Sequence, residues 1–205
     1  MLEFFVSALE MFHHGGWVMY PLLVCSILVV AIGIERFVYY RRICGNNKVV
    51  AQEIMGFARN ADWENINKIC KNERCLVSDI LAVGLVYREC PLSMKESFEE
   101  YISVRANALK RNLNYLDTIV TMAPLLGLLG TVVGMISSFK VLDVSGDNPA
   151  LITGGVGEAL IATATGLCVA VLALIVHSYF SNRLDAVLTE IETVCTLIIN
   201  KARGK

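Results

Sequence analysis

The chain has 205 residues, of which 55% are hydrophobic and 18% are charged, and its net charge is −1. Its mean hydropathy is +0.56, whereas a soluble domain of this length carries about 25% charged residues. The sequence contains no nucleotide-binding loop, catalytic triad or metal-binding motif. These features exclude an ordinary soluble enzyme and predict an integral membrane protein without a cofactor, a bound metal or a nucleic-acid partner.

Three stretches are long and apolar enough to cross a hydrocarbon core, which needs about 20 residues. They are Trp17–Ile34, Thr118–Phe139 and Ala150–Asn182. The first two contain no ionised side chain, and the third contains only Glu158. The residues before the first stretch lack the basic region and the A-x-A cleavage signal of a secretory peptide, so we expect this span to stay in the membrane.

Lysine and arginine are concentrated on one side of these spans, which predicts the orientation of the chain. The residues concerned are Arg36, Arg41, Arg42 and Lys48 after the first span, Arg105, Lys110 and Arg111 before the second, and Arg183 after the third. The first sixteen residues contain no lysine or arginine. We therefore expect the N-terminus to face outwards, and region 41–111 and the C-terminal tail to face the cytoplasm.

Two long helices are predicted to extend beyond the membrane. Pro91, Ser93 and Glu96 are typical of a helix start with Ser93 as the N-cap, and no strong stop signal follows before Lys140. A second helix is predicted through the third span to Ala202. The predicted fold is all-α, with three transmembrane helices, two of which extend into a cytoplasmic helical domain. The predicted division is an outer segment 1–16, transmembrane helix 17–40, cytoplasmic domain 41–111, transmembrane helix 112–141, outer turn 142–149, transmembrane helix 150–182 and C-terminal helix 183–205.

The seven cysteines all lie in a predicted span or on the side predicted to be cytoplasmic, where disulfides are rare. Cys70 and Cys75 are close in sequence but have no second pair of ligands nearby. This pattern favours thiols that pack between helices over a zinc site.

Glu158 is an ionisable group inside a predicted span, where a charged side chain costs roughly 2.5–3.5 kcal/mol on insertion scales. One interpretation is a carboxylate in a water-accessible path that helps to move protons. The alternative is a glutamate at the membrane interface, because it lies only about eight residues, or ~12 Å, below the predicted outer turn. The sequence favours the first interpretation.

Thr131 and Thr163 are predicted to stand at the same height in the membrane. Thr131 follows Arg111 by twenty residues and Thr163 precedes Arg183 by twenty residues, so both lie about 30 Å from their basic flanks. By the same rise, Glu158 lies roughly 7–8 Å further out. A threonine hydroxyl in a membrane helix commonly bonds to a carbonyl of its own helix, and the shared height is what marks these two as candidates.

Small residues recur at helical spacing on the second and third spans. The stripes are Gly127, Thr131, Gly134 and Ser138 on the second span, and Ala159, Thr163, Gly166, Ala170, Ala173 and His177 on the third. Such stripes, together with Gly130-x-x-x-Gly134, let membrane helices approach closely, so packing is one interpretation and a cavity lining is the other. Glu158 and Thr163 differ by about 140° around an α-helix, so they cannot both point straight at one axis. Thr165 shares the face of Glu158 instead.

Two segments resemble the MotA/TolQ/ExbB proton channel family. They are Ala-Pro-Leu-Leu-Gly-Leu-Leu-Gly-Thr-Val-Val-Gly-Met at 123–135 and Gly-Glu-Ala-Leu-Ile-Ala-Thr-Ala-Thr-Gly-Leu at 157–167. Gly-Gly-Trp-Val-Met-Tyr-Pro-Leu-Leu at 15–23 and Ile-Glu-Arg at 34–36 also resemble it, so the similarity covers nearly the whole chain. Three predicted spans, not four, place the chain nearer to ExbB-like and TolQ-like members than to MotA-like ones.

The resemblance implies a homopentamer in the bacterial inner membrane, with a periplasmic N-terminus and a pore surrounded by the second and third spans. This pore would hold a dimer of ExbD-like or TolR-like single-span subunits, which bring an essential membrane aspartate. The resemblance implies a proton-pathway or pore role for Thr131, Thr163 and Glu158, and Thr165 is a further candidate because it shares the face of Glu158. We expect a helix-packing role for Gly127, Gly130, Gly134, Pro124 and Gly166. Thr165 departs from ExbB-like members, in which an apolar residue is usual at this position.

The implied function is a proton-driven motor that energises TonB-dependent transport across the outer membrane through a TonB-like protein. Membrane lipids would surround the motor. A TolQ-like motor for cell division with a TolA-like partner stays open as an alternative. So do a gliding or defence motor and a helical membrane scaffold that conducts no protons.

Overall fold

The computed structural model describes residues 16–44, 47–73, 75–145 and 149–204. The described residues form six helices and no strand, which confirms the all-helical prediction. The helices are α1 Met19–Cys44, α2 Asn47–Arg59, α3 Trp63–Asn72, α4 Leu76–Leu85, α5 Pro91–Ser145 and α6 Pro149–Ala202. The predicted outer segment before residue 16 and the centre of the predicted outer turn, residues 146–148, lie outside the described residues.

Three of these helices are long and apolar enough to cross a membrane: α1, α5 and α6. The prediction of three spans is therefore confirmed, as is the prediction that two of the helices are long. Helix α5 has 55 residues and α6 has 54, so each is about 80 Å long, whereas a hydrocarbon core is about 30 Å thick. Both helices must therefore continue well beyond the membrane.

Helix α5 begins at Pro91, before the predicted N-cap Ser93, so the prediction of Ser93 as the cap is wrong. Proline is favoured at the first helical position because its fixed φ suits the helix and its missing N–H would have no partner there. Ser93 lies inside the first turn, and its hydroxyl donates to the Cys90 sulfur at 3.3 Å. Further along, the helix continues through Pro124 without a break.

The chain divides into two compact units. Among the described residues, the span unit comprises 16–33 and 114–178, and the polar unit comprises 34–113 and 179–204. The division follows composition, because the span unit contains the most apolar parts of α1, α5 and α6.

The polar unit has a core of its own. It is built from one face of each short helix and from the parts of α5 and α6 that belong to this unit. Its fully buried large side chains include Ile54, Ile66, Ile80, Leu81, Met94, Phe98, Ile191 and Ile198. The Phe98 ring packs directly over Gly84, where a larger residue would collide with it. Helix α3 is capped by Asp62, whose side chain accepts a hydrogen bond from the Asn65 backbone N–H at 3.2 Å.

A buried arginine joins α1 to α5 within the polar unit. Arg36 is only 4% exposed, and its guanidinium donates to the Leu109 carbonyl at 3.0 Å and contacts the Glu35 carboxylate at 3.3 Å. Glu35 in turn accepts a hydrogen bond from the Asn112 amide at 2.7 Å. A buried charge is tolerated when it is paired and hydrogen-bonded in this way, so this network holds the end of the first span against α5.

The described cysteines of the polar unit are free thiols. Burial raises the pKa of Cys70 to about 11 and that of Cys195 to about 12. Because a metal ligand must be a thiolate, protonated thiols of this kind act as small apolar side chains that fill the helical core.

The span unit is held together by close approach of the α5 and α6 backbones. Their contact, here called the glycine seam, consists of Gly127, Gly130 and Gly134 on α5 and Ala159, Ala162 and Gly166 on α6. A Cβ added at Gly166 would lie 2.6 Å from the Ala123 carbonyl oxygen and 3.0 Å from the Gly127 Cα. Small residues are required here because backbone atoms, not flexible side chains, occupy the space.

Replacement of Gly166 by alanine is expected to destabilise the chain by about 1–3 kcal/mol, because overpacking against a backbone forces the helices apart. Gly157→Ala is the matched control on the same helix, since a Cβ there has no neighbour within 4 Å. In the helix interior that change should be neutral or stabilising by up to about 1 kcal/mol. Thermal unfolding of both purified variants in the same detergent checks this, and equal destabilisation by the two would contradict the seam.

Candidate functional site

Thr163 connects the two helices of the span unit by a polar contact. Its hydroxyl lies 3.0 Å from the Gly127 carbonyl oxygen on α5 and 3.4 Å from the Ala159 carbonyl oxygen of its own helix. The approach is possible because Gly127 has no side chain: a Cβ there would lie 3.1 Å from the Thr163 Cα. This hydroxyl is therefore placed between segments 123–135 and 157–167.

The other two candidate threonines bond within their own helices. The Thr131 hydroxyl donates to the Leu128 carbonyl at 2.6 Å, and the Thr165 hydroxyl donates to the Ile161 carbonyl at 2.8 Å. This is the common arrangement of a threonine in a membrane helix. Both side chains are half-buried, and neither bond links α5 to α6.

Thr131 and Thr163 do not stand at the same height, contrary to the prediction. Thr163 lies opposite Gly127, which precedes Thr131 by four residues, or about 6 Å along the helix. The prediction assumed that Arg111 and Arg183 mark one level. Two flanking arginines fix a helix only loosely along the membrane normal, because long basic side chains reach the interface from different depths.

The Glu158 side chain faces the beginning of α1. It does not take part in the contact that Thr163 makes across the glycine seam. Its carboxylate occupies the space next to Gly16: a Cβ at position 16 would overlap the Oε1 atom and lie 3.2 Å from Cδ. Gly16 has a φ of +67°, a conformation that glycine adopts without steric cost. Glu158 is half-buried in this position.

The start of a helix is a favourable place for a carboxylate. The first N–H groups of a helix have no partner within it, and the helix dipole leaves partial positive charge at this end. Gly16 lies three residues before the first helical residue of α1, Met19. The geometry therefore places the Glu158 side chain beside the N-terminal end of α1. The sequence does not identify Gly16, the residue that makes room for this carboxylate, as a site residue; the only signal is the Gly-Gly-Trp segment at the start of the span.

The structure thus separates Glu158 from Thr163. Thr163 points across the glycine seam to α5, whereas Glu158 points to the beginning of α1. The divergence of about 140° expected from helix geometry is what allows one helix to serve both contacts. The faces of the spans away from these contacts carry exposed large apolar side chains, among them Leu125, Leu128, Val132, Ile136, Leu160, Leu167, Leu172 and Ile175.

The fold and these contacts define a helical membrane protein with three spans, the second and third of which meet along a seam of small residues. The family model of the MotA/TolQ/ExbB proton channel family matches residues 71–193. The chain therefore belongs to this family, and it is a membrane subunit of the ExbB/TolQ type and not an enzyme.

Individual relatives agree with this membership. The chain is 30% identical over 202 residues to a Methanothermobacter thermautotrophicus protein named as a biopolymer transport protein ExbB homolog, which covers 95% of this chain and 70% of that protein. It is 33% identical over 199 residues to a Synechocystis protein named as biopolymer transport protein ExbB-like 1, covering 91% of this chain and 78% of the relative. A Tol-Pal system protein TolQ of Pseudomonas aeruginosa is 41% identical over 83 residues, covering 40% of this chain and 36% of that protein.

A double-mutant cycle tests the contact between Gly16 and Glu158. Gly16→Ala should destabilise the chain in the presence of Glu158, because the added Cβ displaces the carboxylate from the start of α1. In a Glu158→Ala background the same change should cost about 1–3 kcal/mol less. The backbone strain from the positive φ is present in both backgrounds and cancels. Thermal unfolding of the four proteins gives the coupling, and additive effects would contradict the contact.

Proposed function

We propose that five copies of this chain form a ring in the bacterial inner membrane that converts the proton motive force into movement. The ring surrounds a dimer of ExbD-like single-span subunits, and the moving complex energises TonB-dependent transport across the outer membrane. The observation that carries this proposal is the Thr163 hydroxyl, placed between the two segments that resemble the family's channel motifs and bonded to Gly127 across the glycine seam. Membership of a proton channel family supports it.

In this proposal the N-terminus lies in the periplasm and the C-terminus in the cytoplasm. The excess of lysine and arginine in region 41–111 and at Arg183 supports this orientation. The membrane helices then comprise residues 17–40, 112–141 and 150–182, and the polar unit extends into the cytoplasm. Helices α5 and α6 have 55 and 54 residues, about 80 Å each, so both are long enough to extend from the membrane into the cytoplasm.

The proton path combines groups of this chain with an aspartate from the partner. Glu158 is the only acidic residue between Thr118 and Phe139 or between Ala150 and Asn182, which agrees with a partner that supplies a second acid. Protons enter from the periplasmic side near Glu158 and protonate the partner's aspartate beside Thr131, Thr163 and Thr165. Each proton that crosses 100 mV releases about 2.3 kcal/mol, which drives rotation of the two kinds of subunit relative to each other.

A TolQ-like motor for envelope constriction is the second candidate, and the 41% identity to the Pseudomonas aeruginosa TolQ over 83 residues favours it. Its membrane chemistry would be the same, but its output would pass through a TolA-like protein. Deletion of the gene separates the two candidates. Loss of growth on a large iron complex would indicate a TonB system, and formation of cell chains would indicate a Tol-Pal system.

Proton flux in liposomes tests the proposed function directly. The chain is co-purified with its ExbD-like or TolR-like partner, and proton entry is followed with a pH-sensitive dye at an imposed potential. Flux should require the partner, and Thr163→Val should lower it by about tenfold, equivalent to about 1.4 kcal/mol in barrier height. Glu158→Gln should lower it as well.

Thr121→Val is the matched control for the threonine variant. Its hydroxyl donates to the Thr118 carbonyl of its own helix at 2.9 Å, and the proposed path does not involve it, so its flux should equal that of the unmodified chain. Intact complexes that show no flux would favour the alternative of a scaffold that conducts no protons. Equal flux in all variants would contradict the roles proposed for Thr163 and Glu158.

A further inference from the structure

We infer that the polar unit holds the phosphate of an anionic phospholipid in a pocket between α1 and α6. The pocket has a volume of about 290 Å³ and is lined by Phe37, Tyr40, Arg41, Tyr179, Phe180 and Arg183. This set is called the arginine–aromatic pocket below. Its two halves come from helices that are far apart in sequence, so it is a product of the fold.

The floor of the pocket is aromatic and buried. Tyr40 and Phe180 are 4% and 5% exposed, and their ring centroids are 5.4 Å apart. The neighbouring Tyr179 ring lies 5.2 Å from that of Phe180 in an edge-to-face arrangement. Aromatic pairs at these distances stabilise each other, so the floor is already formed before any ligand arrives.

The walls and the rim remain accessible. Phe37 and Tyr179 expose more than half of their surface, and Arg41 and Arg183 are both exposed. Among the described residues, neither arginine has a carboxylate within 4.0 Å. Two guanidinium groups without an acidic partner therefore stand at the edge of an apolar concavity.

The location points to a lipid as the occupant. Arg41 ends the apolar part of α1, and Arg183 is the first charged residue of α6 after Glu158. The pocket therefore lies at the height of lipid headgroups, where basic pockets between transmembrane helices bind anionic lipids. Guanidinium matches phosphate geometry with two parallel hydrogen bonds. The volume suits a phosphate and its glycerol, and the acyl chains run along the exposed apolar walls. A soluble phosphate ester has no acyl chains to contact these walls and would gain little binding energy from them.

A tryptophan reporter with brominated lipids tests this site. Val38→Trp, which follows the lining residue Phe37 and is not itself part of the lining, is introduced into the full chain after Trp17→Phe and Trp63→Phe. Quenching in mixed vesicles should show that brominated phosphatidylglycerol occupies the site about tenfold more strongly than brominated phosphatidylcholine. Arg41→Gln with Arg183→Gln should abolish this preference. Arg41→Lys with Arg183→Lys should retain part of it.

Arg59→Gln with Arg203→Gln is the matched control, because both arginines are exposed in the same unit and lie outside the pocket. This pair should keep the full preference for phosphatidylglycerol. Circular dichroism and gel filtration establish that each variant is folded, and the single change Arg183→Gln replaces the double variant if that one unfolds. The inference is overturned by equal quenching from both lipids, by the same loss in the control pair, or by complete displacement with millimolar glycerol phosphate, which would indicate a soluble phosphate ligand.

Discussion

The close approach of the α5 and α6 backbones is the constraint on which the span unit depends. Spans in lipid gain no hydrophobic energy from one another, so their association rests on van der Waals contact and on a few hydrogen bonds. The glycine seam supplies the contact, and the Thr163 hydroxyl on the Gly127 carbonyl supplies a bond across it. Because backbone atoms fill the space beside Gly166, the register of the two helices leaves little freedom.

This register also decides which chemistry can occur where. With Thr163 turned to α5, the opposite side of α6 brings Glu158 to the start of α1, where Gly16 makes room for its carboxylate. The acid and the threonine are therefore two separate polar sites on one helix, at different heights and on different faces. A proton route that uses both has to pass from one face to another, which a partner's titratable group between them would permit.

Much of the fold follows from the sequence, because long apolar stretches and uninterrupted helical patterns leave few alternatives. The three spans and the lengths of α5 and α6 could be predicted in this way. The start of α5 could not be predicted, since Pro91 and Ser93 are both good helix-start residues and only the structure shows at which of them the helix begins. The prediction that Thr131 and Thr163 stand at the same height was wrong, because flanking arginines locate a helix along the membrane normal only to within a turn. The role of Gly16 depends on a contact between residues 142 positions apart, which no local pattern reveals.

The register of the glycine seam is tested most directly by a disulfide in a cysteine-free chain. A Cβ at Gly155 would lie 3.2 Å from the Ser138 Cβ, close to the separation of about 3.5–4.5 Å found in disulfides. The pair Ser138→Cys and Gly155→Cys should therefore form an intramolecular disulfide when native membranes are oxidised. The pair Ser137→Cys and Gly154→Cys, shifted by one residue on each helix, should not, because Gly154 has no neighbour within 4 Å. Equal oxidation of both pairs, or oxidation of the shifted pair alone, would contradict the register on which the account rests.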